Sequence, residues 1–122
     1  MSKTLAQRRG RWAEDLACQY LRRQGLEVVA RNYRGARGEI DLVMRLRDTV
    51  IFVEVRYRER DDYGTGAETV NRTKRGKLLA TARQYLQRHD PSGSHPCRFD
   101  VISITRRDDA PRIEWIQNAF ET

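Results

Sequence analysis

The sequence predicts a single α/β domain whose elements follow the order α-β-β-β-α-β-β. Three observations carry that prediction. Two stretches place apolar residues at the 3.6-residue period of a helix, five others are β-branched, aromatic or extended in pattern, and no repeat, linker or low-complexity tract divides the 122 residues.

Taken in order, Ala13, Leu16, Ala17, Tyr20 and Leu21 recur at helical spacing and Gly25 supplies a stop, so residues 4–24 are expected as an amphipathic helix. Glu14 lies beside that apolar stripe, not opposite it. Residues 26–33 (LEVVARNY) and 38–46 (GEIDLVMRL) read as extended, separated by the basic turn Arg34-Gly35-Ala36-Arg37. Residues 49–58 (TVIFVEVRYR) are β-branched and aromatic and make the strongest strand. Glu59 to Val70, with Gly64 and Gly66, reads as a loop. Asn71 is placed to cap a second helix with Leu78, Leu79, Ala82, Tyr85 and Leu86 as its buried face, ending near His89-Asp90-Pro91. A turn through Pro91 to Pro96 leads to strand 98–105 (RFDVISIT), and strand 112–119 (RIEWIQNA) follows it.

Composition narrows the function. A hydrophobic content of 39% is enough for one compact core and argues against a disordered tail protein. The longest apolar run, Val50-Ile51-Phe52-Val53, is far shorter than the roughly 18 residues of a membrane span, and the start MSKTLAQRRGRW offers no secretion signal, so the cytoplasm is the expected address. Cys18 and Cys97 form neither a CxxC nor a disulfide framework and are read as small buried hydrophobes. The net charge of +7 attracts polyanions, chiefly nucleic acid. Residues 1–60 hold 14 basic and 8 acidic side chains against 10 and 9 in the remainder, so the excess lies in the first half. Arg supplies 21 of the 24 basic residues; this suits phosphate recognition, although a genome-wide codon bias would produce the same count.

The informative constellation lies on the second and third strands. If Arg47-Asp48 turns a hairpin, the register sets Asp41 opposite Glu54 and Glu39 opposite Arg56. Carboxylates facing each other repel unless a cation or proton intervenes, and at a Cβ separation of about 5 Å both can ligate one Mg²⁺ through oxygen. A different register, with each acid bridging to an Arg, is the structural alternative.

The string GEIDLVMRLRDTVIFVEVRYR, followed by Tyr63-Gly64, Val70, Lys74 and RFDVISI, closely resembles the YraN family of bacterial proteins over about Arg11 to Phe120. That family in turn resembles the PD-(D/E)XK nucleases, near the Holliday junction resolvases. The resemblance implies a restriction-endonuclease-like α-β-β-β-α-β core, with a mixed central sheet flanked by helices. It also implies that Asp41 and Glu54 hold Mg²⁺ or Mn²⁺, that Arg56 follows them in the motif, and that Glu14 is an additional acid near the metal. Arg56 departs from the superfamily's preferred Lys. Lysine can approach neutrality and orient or deprotonate a water, whereas arginine stays charged and can only stabilise or position. Lys74 shares a helical face with Leu78 and can reach the site; a solvated phosphate contact is its alternative role.

Arg8, Arg9 and Arg11 before or within the first helix, Arg34 and Arg37 in the turn, and Arg58 and Arg60 after the motif strand are candidate phosphate contacts. Asp100, in a strand apolar on both faces, is expected to satisfy an Arg or a backbone donor. His89, His95 and Cys97 match no zinc spacing, and Trp12 and Trp115 are read as core or edge fillers ahead of base-stacking platforms. The reading that follows is a Mg²⁺- or Mn²⁺-dependent endonuclease with DNA ahead of RNA as partner, acting at branched or damaged structures. A nucleic-acid-binding module that keeps the fold without cleavage, with Arg56 paired to Glu39, is the alternative, and an adaptor for an acidic protein is a third. The sequence does not decide between monomer and homodimer.

Overall fold

The computed structural model describes residues 4–58, 71–107 and 110–120, apart from the side chains of Leu5, Ala6, Arg9 and Arg107. The expected loop from Glu59 to Val70, including Tyr63, lies outside the described residues, as do Arg60 and the side chain of Arg9.

Helix α1 (Leu5–Arg23) starts from a capping box in which Thr4 Oγ1 accepts from the Gln7 N–H and Gln7 Oε1 from the Thr4 N–H. It stops where the sequence places the stop. Gly25 adopts φ 96°, and the N–H groups of Gly25 and Leu26 bond back to the carbonyls of Arg22 and Leu21, a Schellman closure that seats Leu26 in the core. Strand β1 (Glu27–Arg34), β2 (Glu39–Leu46) and β3 (Thr49–Arg58) follow as an antiparallel meander. Helix α2 (Arg72–His89) is capped by Asn71, whose side chain accepts from the Lys74 N–H at 2.9 Å. It carries the chain over to β4 (Cys97–Arg107), which pairs parallel with β3, and β5 (Ala110–Phe120) closes an antiparallel edge. The result is one five-stranded mixed sheet with spatial order β1-β2-β3-β4-β5 and two helices.

The two faces are covered separately. Ile51 and Val53 join Ala13, Ala17 and Leu21 of α1, while Val50 and Phe52 join Leu78, Ala82 and Tyr85 of α2. A strand with both faces buried needs apolar residues at successive positions, which is why 50–53 is an unbroken apolar run. The helix faces match the periodicity: Leu16, Tyr20, Leu79 and Leu86 sit half-buried at the margins, and Thr81 joins the buried face of α2, its hydroxyl donating to the Lys77 carbonyl at 2.8 Å. Cys18 is buried as expected; Cys97, at the first position of β4, is only half-buried. The basic turn between β1 and β2 is pinned to α2, with the Ala36 N–H donating to Gln84 Oε1 at 2.8 Å. A Cβ on Gly35 would meet the end of that same Gln84 side chain, which would have to give up its present position.

Asp100 has the structural role read from the sequence. Its carboxylate takes Arg98 Nε and Nη2 at 3.1–3.2 Å, Trp115 Nε1 at 2.9 Å and the Asn118 N–H at 2.9 Å. The last donor exists because the β4–β5 register slips between Phe99 and Val101, where Asn118 adopts φ 50°. Trp115 also meets Tyr20 edge-on at 6.4 Å and packs as a filler; Trp12 meets Tyr57 edge-on at 5.4 Å but stays 39% exposed.

Candidate functional site

The β2–β3 register is the one a turn at Arg47-Asp48 dictates, running from Leu46↔Thr49 to Leu42↔Val53. There the ladder ends. One residue further, Asp41 Oδ2 accepts the Val55 N–H at 2.8 Å, a carboxylate taking a donor that a continued ladder would have used. The cause is visible along β2. Val43 belongs to the α2-side layer and Leu42 and Met44 to the α1 side, yet Ile40 returns to the α2 side, so the two-residue alternation breaks at Asp41. Directly across on β1, between the pairs Arg31↔Leu42 and Tyr33↔Ile40, stands Asn32 with φ 52°. A left-handed non-glycine residue costs about 1–2 kcal/mol, least for Asn, so strain is stored next to the acid.

Alternation along β3 turns Glu54 to the α2 side, where it is 5% exposed. Asp41 and Glu54 are close enough for the charge of one to act on the other. Burial, then the neighbouring Glu54 charge, push the Asp41 carboxyl up to about 8, against the Val55 N–H that favours its ionised form. Two cations answer Glu54. Lys74 Nζ, from the first turn of α2, lies 2.5 Å from its Oε1, and Arg56 Nε lies 3.6 Å away. Lys74 thus points into the acid pair, and its role as a solvated surface contact is set aside for that reason. Glu39, which the continued register would set opposite Arg56, pairs instead with Arg34 on β1 at 3.4 Å.

Glu14 is half-buried on α1, close enough to Asp41 to raise its pKa further. Its own carboxyl is raised by burial, partly offset by a hydrogen bond from Asn32 and the charge of Arg31, whose Nη2 lies 3.8 Å away. Among the described residues no three His, Cys, Asp or Glu side chains form a group that could hold a metal ion. Asp41 and Glu54 are the residues that could hold a metal. The donor set fits a hard divalent ion, because Mg²⁺ takes one or two carboxylates and fills its remaining positions with water and phosphate oxygen, and a cation would discharge the repulsion that keeps a proton on the pair.

An open cleft of about 670 Å³ adjoins this centre, between α1 and the end of β1, lined by Gly10, Arg11, Glu14, Arg31, Asn32 and Arg34 among others. Of the candidate phosphate contacts, Arg11 and Arg34 border this cleft, Arg8 and Arg37 are exposed at its helix and in the β1–β2 turn, and Arg58 is half-buried at the end of β3. Sequence reasoning missed Asn32 and Arg31. A lone Asn inside an otherwise strand-forming stretch is the signal that could have marked the first, since Asn is disfavoured in strands and tolerates positive φ. Arg31 had no local signal; its partners, Asp15 at 2.6 Å and Glu14, come from α1.

The sequence profile of the uncharacterised protein family UPF0102 matches residues 13–104. Relatives are similar along nearly their whole length. A UPF0102 protein of Methylobacillus flagellatus is 55% identical over 108 residues, covering 88% of this chain and 92% of its own. One from Pseudomonas aeruginosa is 46% identical over 115 residues, covering 93% and 92%, and one from Nitrosococcus oceani is 43% identical over 112 residues, covering 92% and 90%. The chain belongs to the UPF0102 family, as its resemblance to YraN proteins anticipates.

Proposed function

We propose that this UPF0102 chain is a Mg²⁺- or Mn²⁺-dependent endonuclease that hydrolyses DNA phosphodiesters on a restriction-endonuclease-like core. One observation carries the reading: a largely buried pair of carboxylates, Asp41 and Glu54, held against each other at the point where β2 and β3 part. Stability alone gives no reason to bury like charges together, and pairs of this kind concentrate at working sites. A divalent ion held by the pair would supply an activated water and polarise a phosphoryl oxygen. The chain's own residues do the rest. The Val55 N–H fixes the Asp41 carboxylate, and Asp41, whose pKa is raised, would have to give up its proton to hold the ion. Lys74 orients Glu54 from α2 and offers further ammonium donors to a water or phosphate oxygen. Arg56, always charged, stabilises negative charge developing on phosphorus. Arg11, Arg34 and Arg37 hold the backbone of the substrate nearby.

The test is cleavage of linear, nicked, flapped and four-way DNA, and of RNA, by purified protein with Mg²⁺, Mn²⁺ or EDTA. Metal-dependent cleavage that Asp41→Asn abolishes is expected; no cleavage of any substrate with either metal would overturn the enzyme assignment. A second reading, a binding module without cleavage, draws on the two cations already answering Glu54. It predicts nucleic-acid binding that EDTA leaves unchanged and no turnover.

A further inference from the structure

We propose that the cleft beside Asp41 admits one unpaired nucleotide of the bound strand, so that the protein acts on single-stranded or frayed segments in preference to intact duplex. The inference rests on the nuclease reading for the polymer's identity, and goes beyond it in assigning where the strand lies and what form it takes. At about 670 Å³ the cleft falls in the range of small-ligand sites, about 300–1,000 Å³, and is far too small for a double helix. It opens toward Asp41 from the α1 side: Glu14, which lines it, is close enough to raise the Asp41 pKa, and Asn32 stands across the sheet from Asp41.

The lining suits a base more than a phosphate alone. Glu14, Asn32 and Arg31 bring a carboxyl, an amide and a guanidinium together, planar groups that match the donors and acceptors on a base edge. Arg11, exposed at its border, supplies positive charge for a flanking phosphate, while Arg34 shares the border with its partner Glu39. Asn32 stands at this wall in a left-handed conformation, φ 52°, which directs its backbone differently from its strand neighbours. Gly10 adds an independent sign. It interrupts the interior of α1, where glycine disfavours the helix, and a Cβ there would meet nothing within 4 Å. The missing side chain leaves the cleft open.

The experiment measures anisotropy of a short fluorescent single strand, and of the blunt duplex of the same sequence, in EDTA. Wild-type protein is expected to prefer the single strand. Gly10→Leu fills the cleft while favouring the helix, and should weaken single-strand binding by about tenfold or more, leave duplex binding unchanged and keep or raise the melting temperature. Asn32→Gly, which retains the backbone conformation without the amide, should weaken it in the same selective way. A duplex preference in the wild type, or equal losses on both forms, would overturn the assignment. Metal-dependent duplex cleavage that survives Gly10→Leu would also overturn it and leave the nuclease reading standing. Selective loss of single-strand binding in a protein that cleaves nothing would uphold the cleft and remove the nuclease.

Discussion

Two strand aspartates, Asp41 on β2 and Asp100 on β4, are both largely buried, and their surroundings are opposite. Asp100 is 1% exposed and surrounded by donors from Arg98, Trp115 and Asn118. Asp41 has the Val55 N–H, and burial together with a second carboxyl beside it pushes its pKa up to about 8. A carboxylate whose lone pairs are met by the protein is structure; one left beside a second carboxyl is, under the proposed function, where a cation from outside would bind. Burial alone does not tell them apart; the count of donors does.

The strongest way to break this contrast is to neutralise each residue in turn. Asp41→Asn and Glu54→Gln should reduce metal-dependent cleavage to the limit of detection while leaving DNA binding intact or tighter, since each removes a negative charge near the phosphate. Asp100→Asn should do the reverse, lowering stability by about 3–5 kcal/mol in urea titrations because the Arg98 guanidinium is left against a neutral partner, with the activity per folded molecule retained. Equal stability losses at both positions would erase the distinction.

A pH series sharpens it. Asp41 holds its proton in the folded chain well above the value of an unfolded aspartate near 3.8, so metal-free protein binds more protons folded than unfolded between those limits. Its stability should therefore fall as pH rises from about 4 through about 8, and Asp41→Asn should remove that slope and stabilise the protein at pH 9 by on the order of a few kcal/mol. Saturating Mg²⁺ should flatten the same slope in the wild type. Asp100→Asn should leave the slope in place.

Two smaller effects concern the surrounding cations. Arg56→Lys should raise kcat if turnover is limited by the lack of a titratable group beside Glu54, and should change only stability, by less than about 1 kcal/mol, if Arg56 serves as a charge partner. Charge reversal at Arg34 and Arg37 should weaken binding uniformly across sequences, and reduce the salt slope of log K by about two, read from titrations between low and moderate salt.

Much of the fold was legible because local chemistry set it. Gly25, Asn71 and the Arg47-Asp48 turn each have a backbone reason that a sequence displays, and they fix a helix end, a helix start and the register that brings Asp41 near Glu54. The acid pair was legible in part: the two-residue turn sets the register as far as Leu42↔Val53, but the expected Asp41–Glu54 strand pair is not formed, because the ladder stops one residue short of it. What was not legible depends on partners distant in the chain. The break in alternation at Ile40–Leu42, with Asn32 flipped across from it, forms only when both helices have claimed their layers. The donor set of Asp100 likewise needs a slip in β5, fifteen or more residues away, and no pattern near Asp100 announces it.

The sequential strand order has a kinetic consequence. All four strand interfaces join consecutive strands, three of them antiparallel, while β3 meets β4 in parallel only after the whole crossover through α2 has closed. Loop-closure entropy makes that parallel pairing the slow, non-local event, and the β2–β3 hairpin an early one. Asp41 and Glu54 are then brought near each other before α2 delivers Lys74 to Glu54. Removing their repulsion with Asp41→Asn should speed folding more than it slows unfolding, a φ-value near one in a chevron measured above pH 8. The nascent hairpin would thus carry the cost of the future site from the first stage of folding, and α2 would relieve it in the last.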